Sequence, residues 1–335
     1  MTDHIEITYR PFTWVDLQST VDLINRYSVD VVGVPSENLD SMTGSLKMLG
    51  EDLPHMVTLA ENPEGTIVGY SEMYDVSQPH VKKTIRCYVD PEHRNEGIGE
   101  ELVRRLEMLG RERVTLAPAG TQVELLTDVN ENNLYNRSLF ESRGWARSHT
   151  NYWMMIDFCG VKPPDPDLSD GLIIRSLRPG EEFRALKAAH ESFADHWGMI
   201  DVPFEQFSER YMAHVEAEGG FDPALWFMVL DGDEVAGVSM CSLKTFEDPD
   251  MGWINTLGVR RPWRKRGIGL ALLRHSFNEM FKRGSLRVGL SVDAYSLTGA
   301  TRLYERAGMK VTRVIHQYMK ELRAGKDLSR QKLEE

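Results

Sequence analysis

Two loops of this 335-residue chain carry the residues best suited to chemistry. One reads "VDPEHRNEGIGEELV" from Val89 and the other "VRRPWRKRGIGLALL" from Val259. Each follows an apolar, strand-like run, contains Arg-x-x-Gly-Ile-Gly and leads into a helical pattern. A helix start exposes N–H groups without partners and about half a positive charge, and glycine lets a ligand come close to the backbone. That combination is a cradle for an anion. In the second loop Arg260, Arg261, Arg264, Lys265 and Arg266 surround Gly267 and Gly269 with charge suited to a pyrophosphate and further phosphates. The first loop instead sets Asp90, Glu92, Glu96, Glu100 and Glu101 around a single Arg94, acids that oppose an anionic ligand unless they point to solvent. Gly-x-Gly by itself is also an ordinary helix-start turn, so the phosphate reading rests on the preceding strand, the arginines and the second matching copy. The third glycine of a dinucleotide fingerprint is missing, and no Lys-Ser or Lys-Thr follows as in a P-loop.

The elements around the loops are repeated too. "IEITYRPFTWVDLQSTVDLIN" and "LIIRSLRPGEEFRALKAAHESF" each read as a short strand and an amphipathic helix. "HMVTLAE…TIVGYSEMYDV" and "ALWFMVLDGDEVAGVSMCSL" each read as two strands about a turn. "TIRCYV" and "WINTLGV" lead into the loops, and "VELLTDVNENNLYNRSLFESRGW" matches "RVGLSVDAYSLTGATRLYERAGM" as strand, loop, helix and glycine turn. The repeat unit is therefore a whole domain. The sequence predicts a first domain over 4–158, a linker rich in Pro, Asp and Gly over 159–171, a second domain over 172–323 and a charged, frayed tail over 324–335. A chain of this length is large enough for two cores. An apolar content of 41% and a charged content of 27% are those of a globular protein. The first residues, "MTDHIEITYR", lack the apolar core of a signal peptide, and no apolar run approaches membrane-spanning length, so a cytoplasmic protein without membrane contact is expected. Cys87, Cys159 and Cys241 read as buried reduced thiols. The net charge of -12 disfavours nucleic acid and anionic membranes and fits a cationic acceptor such as an amine. The scattered histidines offer no metal-ligand spacing.

The phrase [QR]-x-x-G-x-[GA] after a central strand, followed by another strand and "LYERAGM", resembles the GCN5-related N-acetyltransferase superfamily, and nearly the whole chain is covered by two tandem copies. The tandem arrangement is similar to that of the mycothiol synthases. The resemblance implies an α/β fold with a mixed, largely antiparallel sheet flanked by helices. It implies acetyl-CoA as cofactor and a primary amine of a small molecule or peptide N-terminus as acceptor, with direct transfer in a ternary complex. A mycothiol-synthase-like cysteinyl amine and a noncatalytic CoA-binding scaffold are the alternatives. In the family two central strands splay and the pantetheine arm lies in the gap. Gly258, inside its strand, suggests a bulge or a close ligand approach there, with Leu257 and Val259 bonding pantetheine through the main chain.

The family's proton donor to the departing thiolate is a tyrosine in L-Y-x-x-x-G, the position of Tyr304; the first copy has Phe140, which cannot donate a proton. The second copy is thus the expected enzyme, with Leu257, Gly258, Val259, Arg264, Lys265, Arg266, Gly267, Ile268, Gly269 and Leu270 around the cofactor. The matching Cys87, Val89, Arg94, Asn95, Glu96, Gly97, Ile98 and Gly99 of the first copy remain an open second site. The glutamate that many members carry as general base is replaced by Trp253, leaving Glu247, Asp248, Asp250 and Asp293 as candidates, each also readable as a turn acid or helix cap. The resemblance places the acceptor beside Asp195, His196 and Trp197, an acid, an imidazole and an indole able to hold a cation, together with Trp253. A monomer and a homodimer fit equally well.

Overall fold

The protein is described by a computed structural model covering residues 6–194, 198–200, 202–217, 221–245, 247–296 and 299–329. It comprises two compact units. One ends at His149 and takes back Ile315–Leu328; the other runs from Thr150 to Val314 and regains the chain from Ser329.

The first unit contains β1 (Thr8–Pro11), α1 (Leu17–Val32), α2 (Leu39–Lys47), α3 (Leu53–Met56), β2 (Val57–Glu61), β3 (Ile67–Tyr74), β4 (Lys82–Val89), α4 (Ile98–Glu112), β5 (Val123–Asn130) and α5 (Leu134–Ser142), after which β6 (Ala146–Asp157) crosses into the second unit. That unit contains β7 (Leu172–Ser176), α6 (Glu182–Phe193), α7 (Phe204–Ala217), β8 (Trp226–Asp231), β9 (Glu234–Ser242), β10 (Met251–Val259), α8 (Ile268–Lys282), β11 (Arg287–Asp293) and α9 (Ala300–Arg306). Finally β12 (Lys310–Arg323) crosses back.

Each unit is a mixed sheet, antiparallel except at one pair. In the first, β4 runs parallel to β5, and in the second β10 runs parallel to β11. Alternation explains which faces are buried. Ile85, Cys87 and Val89 of β4 join Ile98, Leu102 and Leu106 of α4 in one apolar cluster. In the second unit Val288, Leu290 and Val292 of β11 pack with Ile268, Leu272, Phe277 and Met280 of α8, while Ala185, Leu186 and Ala189 of α6 cover Val238 and Met240 from the other face. Burying one such aliphatic side chain stabilises by about 1.5–3 kcal/mol.

The last strands are exchanged, which departs from the division at the linker. Thr150–Asp157 belong to the second unit, where β6 pairs antiparallel with β11, and Ile315–Arg323 pair with β5 of the first. Which sheet each strand closes is set by pairing across the chain, β6 with β11 and β12 with β5, and the local residue pattern does not encode that choice. The tail is bonded rather than frayed as far as Ser329: Lys326 donates to the Gly120 carbonyl at 2.8 Å and bridges Thr121, and Ser329 bridges Ile200. Cys87 and Cys241 are buried, but Cys159 is exposed, because it sits in the turn that follows β6.

Candidate active site

In the second unit the site begins where β10 and β11 part. Their parallel register runs only from Met251↔Arg287 to Ile254↔Leu290, while β10 stays paired with β9 as far as Val259↔Gly237. Asn255 to Val259 therefore continue along one neighbour after the other has left. A bulge lies between Ile254 and Thr256, and it turns Leu257 and Val259 toward the α8 cluster and Thr256 toward α7, where its hydroxyl meets that of Tyr211 at 2.9 Å. The expectation at Gly258 was a bulge or a close ligand approach, and the bulge lies earlier in the strand. Gly258 is glycine because a methyl there would lie 2.7 Å from Cβ of Ser192 on α6, so helix packing sets the residue.

Beyond β10 the loop is shaped by two left-handed residues, Lys265 at φ 63° and Gly267 at φ 78°, the second capping the start of α8. Such alternation turns successive N–H groups into a concave nest for an anion. Gly269 keeps its place because a methyl would come within 3.1 Å of Leu303. These features fit the pyrophosphate end of acetyl-CoA, and the parted strands fit its extended arm. The five basic residues divide into two groups. Arg260 pairs with Glu191 at 2.5 Å and with Glu234 at 2.9 Å. Arg264 turns inward to the carbonyls of Val259, 3.1 Å, and Ser192, 3.0 Å, fastening the loop to β10 and α6. Arg261, Lys265 and Arg266 are exposed, the last also 3.2 Å from Asp231. Arg264, expected among the cofactor residues, bonds two backbone carbonyls through its guanidinium in this structure.

Tyr304 on α9 is 7% exposed and shares the apolar cluster of Leu257, Val259, Ile268 and Leu272. Burial pushes its phenol up to about 12, so the hydroxyl keeps its proton at neutral pH. Its counterpart Phe140 is fully buried and stacks on Tyr318 at 6.3 Å.

The opposite face of the sheet gathers aromatic and charged groups. Trp253 lies across Gly289, where a methyl would touch its ring at 2.6 Å, and meets Trp153 edge-on at 4.9 Å. Arg313 of β12 stacks 4.7 Å over Trp153 and holds Glu247 at 2.6 Å. Glu247 and Trp253 are thus brought into one group with Trp153 and Arg313. Asp248 pairs with Arg287 at 2.7 Å. Asp250 precedes β10, at the end of the strand away from the loop, and its carbonyl accepts from Leu286 at 2.8 Å. Asp293 accepts from the Tyr295 amide at 2.7 Å, an Asx turn ahead of α9 rather than a cap on it, since Gly299 is the N-cap of that helix. Asp195, His196 and Trp197 lie outside the described residues. Sequence reasoning missed Trp153 and Arg313. Trp153 was recoverable from strand alternation, but Arg313 needed the path of the last strand.

The Acetyltransferase (GNAT) family matches residues 20–145 and again 187–309. The chain belongs to this family, as two tandem domains. It is similar, at 28% identity over 80% of this chain and 82% of the other, to a mycothiol acetyltransferase of Streptomyces bingchenggensis. It is also 28% identical to one of Streptomyces scabiei over 72% of each. Among solved structures, a GCN5-related N-acetyltransferase from Sphaerobacter thermophilus matches with TM-score 0.80 and 31% identity over 98% of both chains. A tandem GNAT protein from the clavulanic acid biosynthesis pathway shares the fold at TM-score 0.71 and 14% identity, over 96% of this chain and all of that one. The protein is an N-acetyltransferase that takes its acetyl group from acetyl-CoA and passes it to an amine. No helix among the described residues is long and apolar enough to cross a membrane.

Proposed function

We propose that the second unit carries the reaction, transferring acetyl directly to a primary amine of a small molecule or peptide N-terminus in a ternary complex. The observation that carries this reading is Tyr304, a buried phenol that keeps its proton, set beside a strand whose parallel partner has parted from it. When bound, acetyl-CoA supplies a thioester carbonyl for the amine to attack and a sulfur to leave. The main chain of Leu257 and Val259 bonds the pantetheine arm and polarises that carbonyl. Lys265, Arg266 and the amides from Gly267 to Leu270 hold the phosphates. Tyr304 Oη donates its proton to the leaving sulfur. Glu247 receives the ammonium proton, directly or through water, with Trp253 beside the acceptor; Asp293 closes the turn before α9, and Asp250 stands apart.

The relatives named mycothiol acetyltransferases favour a cysteinyl amine as one acceptor within this class. A purely CoA-binding scaffold is the second reading, and the retention of Tyr304 speaks against it. The cytoplasm is the proposed location, where acetyl-CoA is available. Tyr304→Phe should lower kcat by about 100-fold or more while leaving acetyl-CoA affinity unchanged. Steady-state kinetics beside calorimetry measure the two separately, and full turnover in this variant would remove the reading. Glu247→Gln should move the rise of kcat/KM to higher pH, toward the pKa of the free amine.

A further inference from the structure

The first unit has the same parted strands, with β4 and β5 paired only from Lys82↔Glu124 to Thr84↔Leu126. Its loop has the same backbone, with Asn95 at φ 67° and Gly97 at φ 82°. The difference lies in what fills the groove. Asn136, at the start of α5, reaches across to donate to the carbonyl of Cys87 on β4 at 3.3 Å and to the hydroxyl of Tyr27 at 2.9 Å. Tyr27 meets Tyr88 edge-on at 4.8 Å. Tyr135 lies on the start of α4, where its hydroxyl would be 2.5 Å from a methyl built on Gly99. Over Tyr135, at 5.3 Å, sits the guanidinium of Arg94, bound to Asp30 at 2.7 Å.

The second unit has small residues at all four matching positions. Phe140 and Tyr304 align α5 with α9, which sets Gly299 opposite Tyr135 and Ala300 opposite Asn136. Val89 and Val259 align β4 with β10, setting Gly258 opposite Tyr88. The ion pairs Arg10–Asp16 and Arg175–Glu181, each with the acid just before the helix and accepting from the amide three residues earlier, align α1 with α6 and set Ser192 opposite Tyr27.

We infer that the first unit is closed to acetyl-CoA by its own side chains, and that the protein binds one acetyl-CoA per chain. Asn136 takes the β4 carbonyl that an extended ligand arm would meet, and Tyr135 covers the amides at the start of α4. This rests on the reading that the loop before α8 holds the cofactor. The loop acids add little to the closure. Asp90 is paired with Arg26, and Glu101 with Arg104 and Arg105. They do leave the neighbouring cleft of about 540 Å³, lined by Asp22, Arg26, Asp90 and Glu92, with a charge unsuited to phosphates.

Calorimetric titration of the full chain with acetyl-CoA should give one equivalent. Lys265→Glu with Arg266→Glu should weaken that site at least about tenfold, and Arg94→Glu should leave it unchanged. Two equivalents in the wild type would overturn the closure of the first unit. One equivalent lost on Arg94→Glu but kept in the double glutamate variant would instead overturn the assignment of the cofactor to the second unit, and the closure with it. Tyr135→Gly with Asn136→Ala, checked for folding by circular dichroism, should add a second equivalent. A folded variant that still binds one would show that these side chains are not what closes the groove.

Discussion

Tyr304 and Phe140 stand at one position of two copies, and in the proposed reaction the hydroxyl that separates them is the difference between a proton donor and a packing residue. That contrast could be read from two short motifs. The role of Arg264 could not, because an arginine in a basic loop looks the same whether it faces a phosphate or a carbonyl. Single carboxylates also govern stability. Asp75 is 2% exposed and receives the fully buried ammonium of Lys83 at 2.8 Å and the Arg113 Nε at 2.9 Å. Asp75→Asn leaves Lys83 without its counter-charge and should cost about 3–5 kcal/mol, read from the denaturant midpoint. Asp16 offers a pH test. The Arg10 guanidinium bonded to it holds its carboxyl down at about 2. A depressed carboxylate contributes in full above its ordinary range near pH 3.8 and loses that contribution as pH falls toward 2. Acid unfolding of Asp16→Asn should therefore start from a lower stability at pH 6 and show a shallower decline below pH 4.

At the scale of elements, the strands and helices that carry the site follow from alternation and helical spacing, and the loop at Gly267 needed no more than its glycines and the strand before it. The exact form of β10 was less accessible. A glycine in a strand says that something comes close without saying what, and here Ser192 of α6 packs against it while the bulge lies between Ile254 and Thr256. Gly258→Ala should push α6 away from β10 and destabilise by about 1–3 kcal/mol, lowering Tm in calorimetry. The acetyl-CoA arm would feel this only through the shifted strand, so affinity should fall by less than stability does. The filling of the first groove was also hidden. Tyr27, Tyr88 and the neighbours Tyr135 and Asn136 come from three separate stretches of the sequence, and each is unremarked until the fold brings it to the same gap. The reversal of loop charge is a lesser part of the inferred closure, since two of those acids, Asp90 and Glu101, are paired with arginines of α1 and α4.

For the molecule as a whole, two domains were legible from the repeat, but the exchange of their last strands was not, because pairing between distant segments leaves no mark in either strand's own pattern. Within the first unit the returning strand is firmly held. Tyr318 is 1% exposed and donates to Glu141 at 2.6 Å, Lys320 reaches Glu107 at 3.0 Å, and Arg323 reaches the Thr121 carbonyl at 2.8 Å. A chain ending at Val314 loses all three contacts, and the buried Tyr318 ring alone is worth about 3–5 kcal/mol. Hydrogen exchange in β5 should then rise sharply, whereas preserved protection there would mean that another segment closes the sheet. The exchange also bears on how such a gene can change. A duplicate whose groove is filled would ordinarily be free to disappear. Here, deleting everything before the linker would also remove Thr150–Asp157, which belong to the second unit and carry the pairing with β11. If the first copy is closed to the cofactor as inferred, the strand that follows it would keep it in the gene's reading frame.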